Sequence, residues 1–206
     1  MMEPMDVRRA GPDDLELVAD TLALAFSADP AWTWVFDDPT RCTEQLRSVW
    51  GLLLRASVGH GWIWMTAGAG AVTQWVPPGV DELTPEEELA MGRLMDELLG
   101  ADVWRATALV ERFGAARPAG PDHYYLSLFG TRPDARGRGL GMALLADNLA
   151  RVDAEGMPAY LESTNPVNLD RYRSVGFVDA DVLALPDGGP VVTTMWREPR
   201  SGPPDR

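Results

Sequence analysis

The sequence is poor in the residues that form disulfides and metal sites. It contains one cysteine, Cys42, and two histidines, His60 and His123, among 206 residues. A single cysteine excludes an internal disulfide and any zinc site built from several cysteines. With so few nitrogen and sulfur ligands, we expect no structural metal.

Long hydrophobic runs and a basic charge balance are also missing. Charges and glycines interrupt every apolar segment before the roughly 18 residues that a membrane span needs. The first residues, Met-Met-Glu-Pro-Met-Asp, lack the basic region and apolar run of a secretory signal. We therefore expect a cytoplasmic protein without a membrane partner. The formal net charge of −13 argues against nucleic acid as a partner, because a phosphate backbone would be repelled.

The chain is long enough, at 46% hydrophobic residues, to bury one sizeable core. We expect a single domain over residues 1–200 and a disordered tail over residues 201–206. Hydrophobic periodicity and turn residues predict strands over 7–9, 61–66, 71–76, 124–131, 159–163, 177–184 and 191–197. Two early helices are predicted, one that begins at Pro12 and one that begins after Thr40. Further helices are predicted over 85–99, 103–113, 142–155 and 165–176. Residues 30–36 are predicted to be a loop.

A glycine-rich turn follows the strand over 124–131. Gly137, Gly139 and Gly141 alternate with Arg136 and Arg138, and good helix formers come next. Glycines let a backbone approach a ligand closely, and the free N–H groups of a helix N-terminus attract anions. Forked arginine donors suit phosphate oxygens. The pattern predicts a pyrophosphate site, with a plain surface loop as the alternative.

A dinucleotide fingerprint of the G-x-G-x-x-G type is a rival interpretation of the same turn. That motif needs glycine at its sixth position. Here Gly137-x-Gly139 leads to Met142 instead. The departure disfavours a nucleotide-dependent oxidoreductase.

Two sequence blocks together resemble the GNAT-type N-acetyltransferase superfamily. Arg136-Gly137-Arg138-Gly139-Leu140-Gly141 is similar to the family's Arg/Gln-x-x-Gly-x-Gly/Ala, and Asn165 followed by Tyr172 and Gly176-Phe177 is similar to its second block. The resemblance implies an α/β (α+β) fold with a mixed, mostly antiparallel central sheet of six to seven strands flanked by helices. Within the superfamily, segments such as 160–163 and 195–197 look most like the puromycin N-acetyltransferase branch.

The resemblance implies acetyl-CoA as the donor, a primary amine of a small molecule as the acceptor, and a monomer or homodimer. Pyrophosphate binding falls to Arg136 and to the backbone of Gly137, Arg138, Gly139, Leu140, Gly141 and Met142. Pantetheine binding falls to the backbone of Phe129, Gly130 and Thr131, with Asn165 and Asn168 on the other side.

Acyl transfer to an amine needs a general acid for the leaving thiolate and a base for the amine. Tyr172, at the position that serves as the acid in the family, is the candidate acid, with a packing residue as the alternative. Glu162, at the end of a strand, is the candidate base; a structural hydrogen-bond acceptor is the alternative, and His123 is a second candidate.

Tryptophans are concentrated in the first half of the chain. Trp32 and Trp34 fall in the predicted loop between two helices, where this superfamily builds its acceptor pocket, and aromatic rings hold apolar or cationic groups. We expect them to bind an amine with a bulky apolar or antibiotic-like body, with core packing as the alternative. A non-catalytic acyl-CoA-binding sensor is the alternative function.

Overall fold

A computed structural model describes residues 6–200, in which seven strands form one mixed sheet in the order β1-β2-β3-β4-β5-β7-β6. The strands are β1 (Val7–Arg9), β2 (Ile63–Thr66), β3 (Ala71–Val76), β4 (Tyr124–Thr131), β5 (Ala159–Ser163), β6 (Val178–Ala184) and β7 (Val191–Arg197). Every neighbouring pair is antiparallel except β4 with β5. The predicted fold class, with six to seven mostly antiparallel strands, is confirmed.

Seven α-helices within the described residues cover the two faces of the sheet. They are α1 (Leu15–Phe26), α2 (Pro30–Val35), α3 (Cys42–Ser57), α4 (Pro85–Leu99), α5 (Val103–Ala116), α6 (Leu140–Ala154) and α7 (Leu169–Ser174). Residues of α1 to α5 pack into one apolar cluster against one face, while α6 and α7 pack into a second cluster with the opposite face. The predicted helix over 85–99 is α4, which begins with a capping box between Thr84 and Glu87 and has Pro85 as its first residue.

One predicted element is wrong. Residues 30–36, predicted as a loop, contain the short helix α2, which begins where the Asp29 side chain accepts hydrogen bonds from the N–H groups of Ala31 and Trp32. Proline at the first helical position adds to this start, since its missing N–H needs no partner there. The helix turns the chain tightly beside the end of α1.

The sheet separates at its centre. The parallel strands β4 and β5 pair only through Tyr124 with Ala159 and Tyr125 with Tyr160. On its other side β4 continues to pair with β3 as far as Thr131, with a register shift that leaves Ser127 as the extra residue of a bulge. Bulges bend strands and commonly lie next to functional sites. From Leu126 onward, β4 therefore has no strand on the side that faces β5.

The predicted disordered tail, residues 201–206, lies outside the described residues. Between residues 6 and 200, no helix combines the length and the apolarity that crossing a membrane requires.

Candidate active site

The glycine turn forms the N-terminus of α6. Gly137 and Gly139 have φ angles of 78° and 76°, a left-handed conformation that favours glycine. Gly139 occupies the cap position and no side chain caps the helix. The first N–H groups of α6 therefore have no intrahelical partner and are available to an anion, with the helix dipole behind them.

Gly141 lets the start of α6 approach β4 closely. A Cβ atom at Gly141 would lie 2.4 Å from Thr131 Oγ1 and 3.2 Å from Phe129 Cζ. On the opposite face of β4, a Cβ at Gly130 would lie 2.8 Å from the Cβ of Ala25 in α1. The end of β4 is thus held between two helices that only glycine allows to come so near.

A large cavity of about 460 Å³ lies between the start of α6, the end of β4, the end of α1 and the segment that leads into α7. Its walls combine helix N-terminal backbone, the open side of β4 and two arginines. The lining residues are Ala25, Phe26, Ala28, Asp29, Phe129, Gly130, Thr131, Ala135, Arg136, Gly137, Gly139, Leu140, Gly141, Met142, Asn165, Val167, Asn168, Arg171 and Tyr172.

All the predicted donor-binding residues except Arg138 line this cavity. The guanidinium of Arg136 donates to the carbonyl oxygens of Thr131 and Ala25, at 3.3 and 3.2 Å. Asn165 accepts from the N–H of Val167, and Asn168 accepts from the guanidinium of Arg171 at 2.6 Å. The side chains opposite α6 are therefore fixed by local hydrogen bonds.

The large cavity fits the phosphate and pantetheine parts of CoA. The uncapped helix N-terminus is suited to pyrophosphate, because its first N–H groups have no intrahelical partner. The unpaired side of β4 from Leu126 onward offers backbone groups to an amide-containing chain. Both features match the chemistry of the two parts of CoA, a diphosphate and an amide-containing chain.

A small cavity of about 50 Å³ lies where β4 and β5 separate. It shares lining residues with the large cavity: Phe26, Asp29, Phe129, Asn168 and Tyr172. Its remaining walls are Trp32, Phe113, Tyr125, Leu126, Ser127, Leu161, Glu162, Ser163 and Thr164. Aromatic rings and two carboxylates therefore surround a space that adjoins the large cavity.

Tyr172 lies at the boundary between the two cavities, where the sequence predicted a catalytic acid. Its ring packs edge-on against Phe129 and Phe177, which fixes the orientation of the side chain. Burial raises the pKa of the Tyr172 hydroxyl above its ordinary value, and the nearby charge of Asp29 adds to the rise. The hydroxyl is thus protonated at neutral pH and can donate a proton.

Glu162, the predicted base, lines the small cavity near the end of β5. Burial raises the pKa of its carboxyl to about 7, although the nearby Tyr125 hydroxyl and the charge of Arg117 oppose the rise. Its Oε1 is buried and has no hydrogen-bond partner in residues 6–200. A carboxyl with a pKa near neutrality is well matched to accepting a proton at physiological pH.

Two charged residues beside Glu162 were missed by the sequence reasoning. Glu82 and Arg117 are 4.0 Å apart, and the Arg117 guanidinium lies 4.1 Å from the ring centroid of Tyr125. Burial raises the pKa of Glu82, whose negative charge in turn raises the pKa of Glu162. Nothing local in the sequence links these residues, because they come from segments far apart in the chain.

The two tryptophans predicted to bind the acceptor lie in different places. Trp32 lines the small cavity and packs edge-on against Trp50, with ring centroids 4.6 Å apart. Trp34 lines neither cavity and packs against Trp104. His123, the second candidate base, also lies outside both linings, with its Nδ1 2.8 Å from the carbonyl oxygen of Pro121.

Two comparisons, with protein-family models and with solved structures, find similar proteins. The model of the acetyltransferase (GNAT) family matches residues 91–177, which include β4, the glycine turn, Glu162 and Tyr172. This chain is similar to the structure of histone acetyltransferase HPA2 and related acetyltransferase from Corynebacterium glutamicum, with 24% identity over 96% of this chain and 98% of that one, at a TM-score of 0.69.

Two insect enzymes share the fold at lower identity. Arylalkylamine N-acetyltransferase 2 from Aedes aegypti is 12% identical over 96% of this chain and 100% of its own, with a TM-score of 0.63. Polyamine N-acetyltransferase from Drosophila melanogaster is 17% identical over 95% and 100%, with a TM-score of 0.62. These structures share the fold of this chain, and the family match covers the segment that holds most of the site residues.

Proposed function

We propose that this protein is an acetyl-CoA-dependent N-acetyltransferase that acts on the primary amine of a small molecule with an apolar or aromatic body. The observation that carries the proposal is the position of Tyr172 at the boundary of the two cavities. A thioester bound along β4 would there meet an amine in the small cavity. The resemblance to the puromycin N-acetyltransferase branch remains a prediction from the sequence.

The donor would be held by the start of α6 and the open side of β4. The N–H groups of Leu140, Gly141 and Met142 would bind the pyrophosphate, with Arg136 adding positive charge. Backbone groups from Phe129 to Thr131 would pair with pantetheine amides on the side that lacks a strand. When bound, acetyl-CoA supplies a thioester whose acyl carbon is open to attack by an amine.

The protein's own side chains would move the protons. An ammonium group must lose a proton before its nitrogen can attack, and the Glu162 carboxylate would accept that proton. As the N–C bond forms and the C–S bond breaks, the Tyr172 hydroxyl would give its proton to sulfur and regain one from the same nitrogen. The net products are an amide, a thiol and one proton released to solvent.

The acceptor class follows from the walls of the small cavity. Three aromatic residues, Phe26, Trp32 and Phe113, line it together with two acidic residues, Asp29 and Glu162. Aromatic faces and carboxylates together favour an organic cation with an apolar body. Arylalkylamine and polyamine acetyltransferases are among the proteins with this fold, and the aromatic wall favours the arylalkylamine type.

Release of thiol from acetyl-CoA in the presence of a panel of amines tests the proposal. Arylalkylamines should support turnover better than small aliphatic polyamines, and Tyr172→Phe should lower kcat by roughly 100-fold or more. Tyr124→Phe is the matched control, because the Tyr124 hydroxyl donates to Glu155 at 2.7 Å and lines neither cavity. The buried thiol of Cys42, at 2% exposure, should add little background to a thiol-reactive dye.

Other outcomes would change the conclusion. Tight CoA binding without thiol release from any amine would favour a non-catalytic sensor. Unchanged turnover by Tyr172→Phe would remove Tyr172 from the mechanism. A preference for aliphatic polyamines would contradict the proposed acceptor class.

A further inference from the structure

Asp29 is a buried carboxylate that faces both cavities. It precedes α2, is 6% exposed, and is among the residues shared by the two cavity walls. It is close enough to Tyr172 for its charge to raise the pKa of that hydroxyl. Asp29 therefore lies beside the place where donor and acceptor would meet.

The contacts of Asp29 are hydrogen bonds from neutral groups. One oxygen, Oδ1, accepts from the N–H groups of Ala31 at 3.0 Å and Trp32 at 3.4 Å. The other, Oδ2, accepts from the hydroxyl of Thr164 at 2.8 Å. None of the ion pairs formed within residues 6–200 includes Asp29.

The two arginines that line the large cavity donate their hydrogen bonds to groups other than Asp29. Arg136 donates to backbone carbonyl oxygens, and Arg171 donates to Asn168. Glu162, the other carboxylate of the small cavity, has the positive charge of Arg117 beside it. Within the described part of the chain, Asp29 is thus the buried carboxylate of this site that lacks a cation.

A buried carboxylate without a cation is unfavourable, because the charged form loses its hydration. Burial accordingly raises the pKa of Asp29, and the three neutral hydrogen bonds only oppose the rise. Each carboxylate oxygen can accept more than one hydrogen bond, so Oδ2 keeps capacity beyond its bond from Thr164. A cation that entered the adjoining cavity would satisfy this capacity and compensate the charge.

We propose that Asp29 binds the ammonium group of the acceptor and holds it beside Glu162 and Tyr172. This role rests on the proposed function and assigns the carboxylates different tasks: Asp29 binds the cation, and Glu162 takes its proton. The enzyme would therefore select acceptors that are cationic at neutral pH. Neutral amines of the same shape would bind without this contribution.

Benzylamine and phenylhydrazine form a matched pair for the test, because they have similar shapes and only benzylamine is cationic at neutral pH. Asp29→Asn keeps an oxygen that can cap α2 but removes the charge. It should raise the KM of benzylamine by about 10- to 100-fold, the value of a charge-assisted hydrogen bond, with a smaller change in kcat. The KM of phenylhydrazine should change by less than about threefold, since the variant removes little more than charge.

Thr164→Val is the control for a purely structural role, since it removes the hydroxyl that bonds to Asp29 and keeps the Asp29 carboxyl group itself. It should lower stability while leaving the ratio of the two KM values near that of the unmodified protein. Equal effects of Asp29→Asn on both amines, or the same ratio change in Thr164→Val, would overturn the proposal.

A binding measurement separates this inference from the proposed function. Benzylamine should raise the melting temperature of the CoA-saturated protein and should fail to do so for Asp29→Asn. If acetyl-CoA were not consumed but this difference were found, the proposed reaction would fail and Asp29 would stand as an ammonium site. Equal melting shifts for both proteins would reject the site.

Discussion

Replacing Glu162 with glutamine should change stability and turnover in opposite directions. A glutamate in the unfolded chain ionises near 4.5, whereas burial raises the pKa of Glu162 in the folded protein to about 7. Between these values the unfolded chain has lost a proton that the folded protein retains. Rising pH therefore favours unfolding. The contribution of the protonated Glu162 carboxyl to the free energy of unfolding is complete below pH 4.5 and is lost as the pH passes through 7.

The size of the effect follows from the pKa difference. At about 1.36 kcal/mol per unit, a rise from 4.5 to about 7 corresponds to roughly 3 kcal/mol at pH 8. Glutamine does not titrate. At pH 8 the free energy of unfolding of Glu162→Gln should therefore exceed that of the unmodified protein by up to this amount. For a chain of this length, we expect an increase in Tm of roughly 6–12 °C.

Denaturant unfolding at several values from pH 5 to pH 8 measures the difference between the two proteins. Glu111→Gln, on the exposed surface of α5, is the control and should show no such trend. The same variants assayed for thiol release should show turnover lowered about 100-fold or more only for Glu162→Gln. A stability difference that is independent of pH would refute the reasoning, and unchanged turnover with the same pH profile would remove Glu162 as the base.

Two further changes test the geometry around the site. Gly141→Ala should weaken CoA binding by about tenfold and destabilise the fold by about 1–3 kcal/mol, because its Cβ overlaps Thr131 Oγ1. Titration and scanning calorimetry would measure the two effects. Adding Thr131→Ala should restore part of both losses. Gly92→Ala, in open space within α4, is the control and should stabilise by about 0.5–1 kcal/mol. Wild-type affinity in Gly141→Ala would contradict the close contact. Glu82→Gln should move the acidic limb of kcat/KM to lower pH, because the charge of Glu82 raises the pKa of Glu162; a limb that stayed in place or rose would reject this coupling.

The fold was largely predictable because its signals are local. The capping box at Thr84, the glycines between β2 and β3 and the apolar runs of the strands each depend on neighbouring residues. Helix α2 was missed because six residues are too few to show a helical period, although Asp29 and Pro30 are a recognisable start. That error also explains Trp34, since residues two apart on a helix face different directions and only Trp32 reaches the small cavity.

The site was predictable only in part, because sequence signals are local and most of its contacts join distant residues. The glycine turn is contiguous in sequence, so its place at an uncapped helix N-terminus could be inferred from its residues. The hydrogen bond between Asp29 and Thr164 joins residues 135 positions apart. Glu82 and Arg117 form an ion pair although helices α4 and α5 lie between them in the sequence. Such contacts depend on how the layers pack, and no periodicity in the sequence encodes them.

The separation of β4 from β5 has a consequence for the folding equilibrium. Under the proposed function, the donor completes backbone pairing along the centre of the sheet, so only the folded chain can bind it. A ligand present at 100 times its Kd adds about 2.7 kcal/mol to stability by mass action alone. Amide hydrogens from Ser127 to Thr131 should then exchange more slowly as CoA is added, and the lifetime of the protein against proteolysis should increase with the supply of its own substrate.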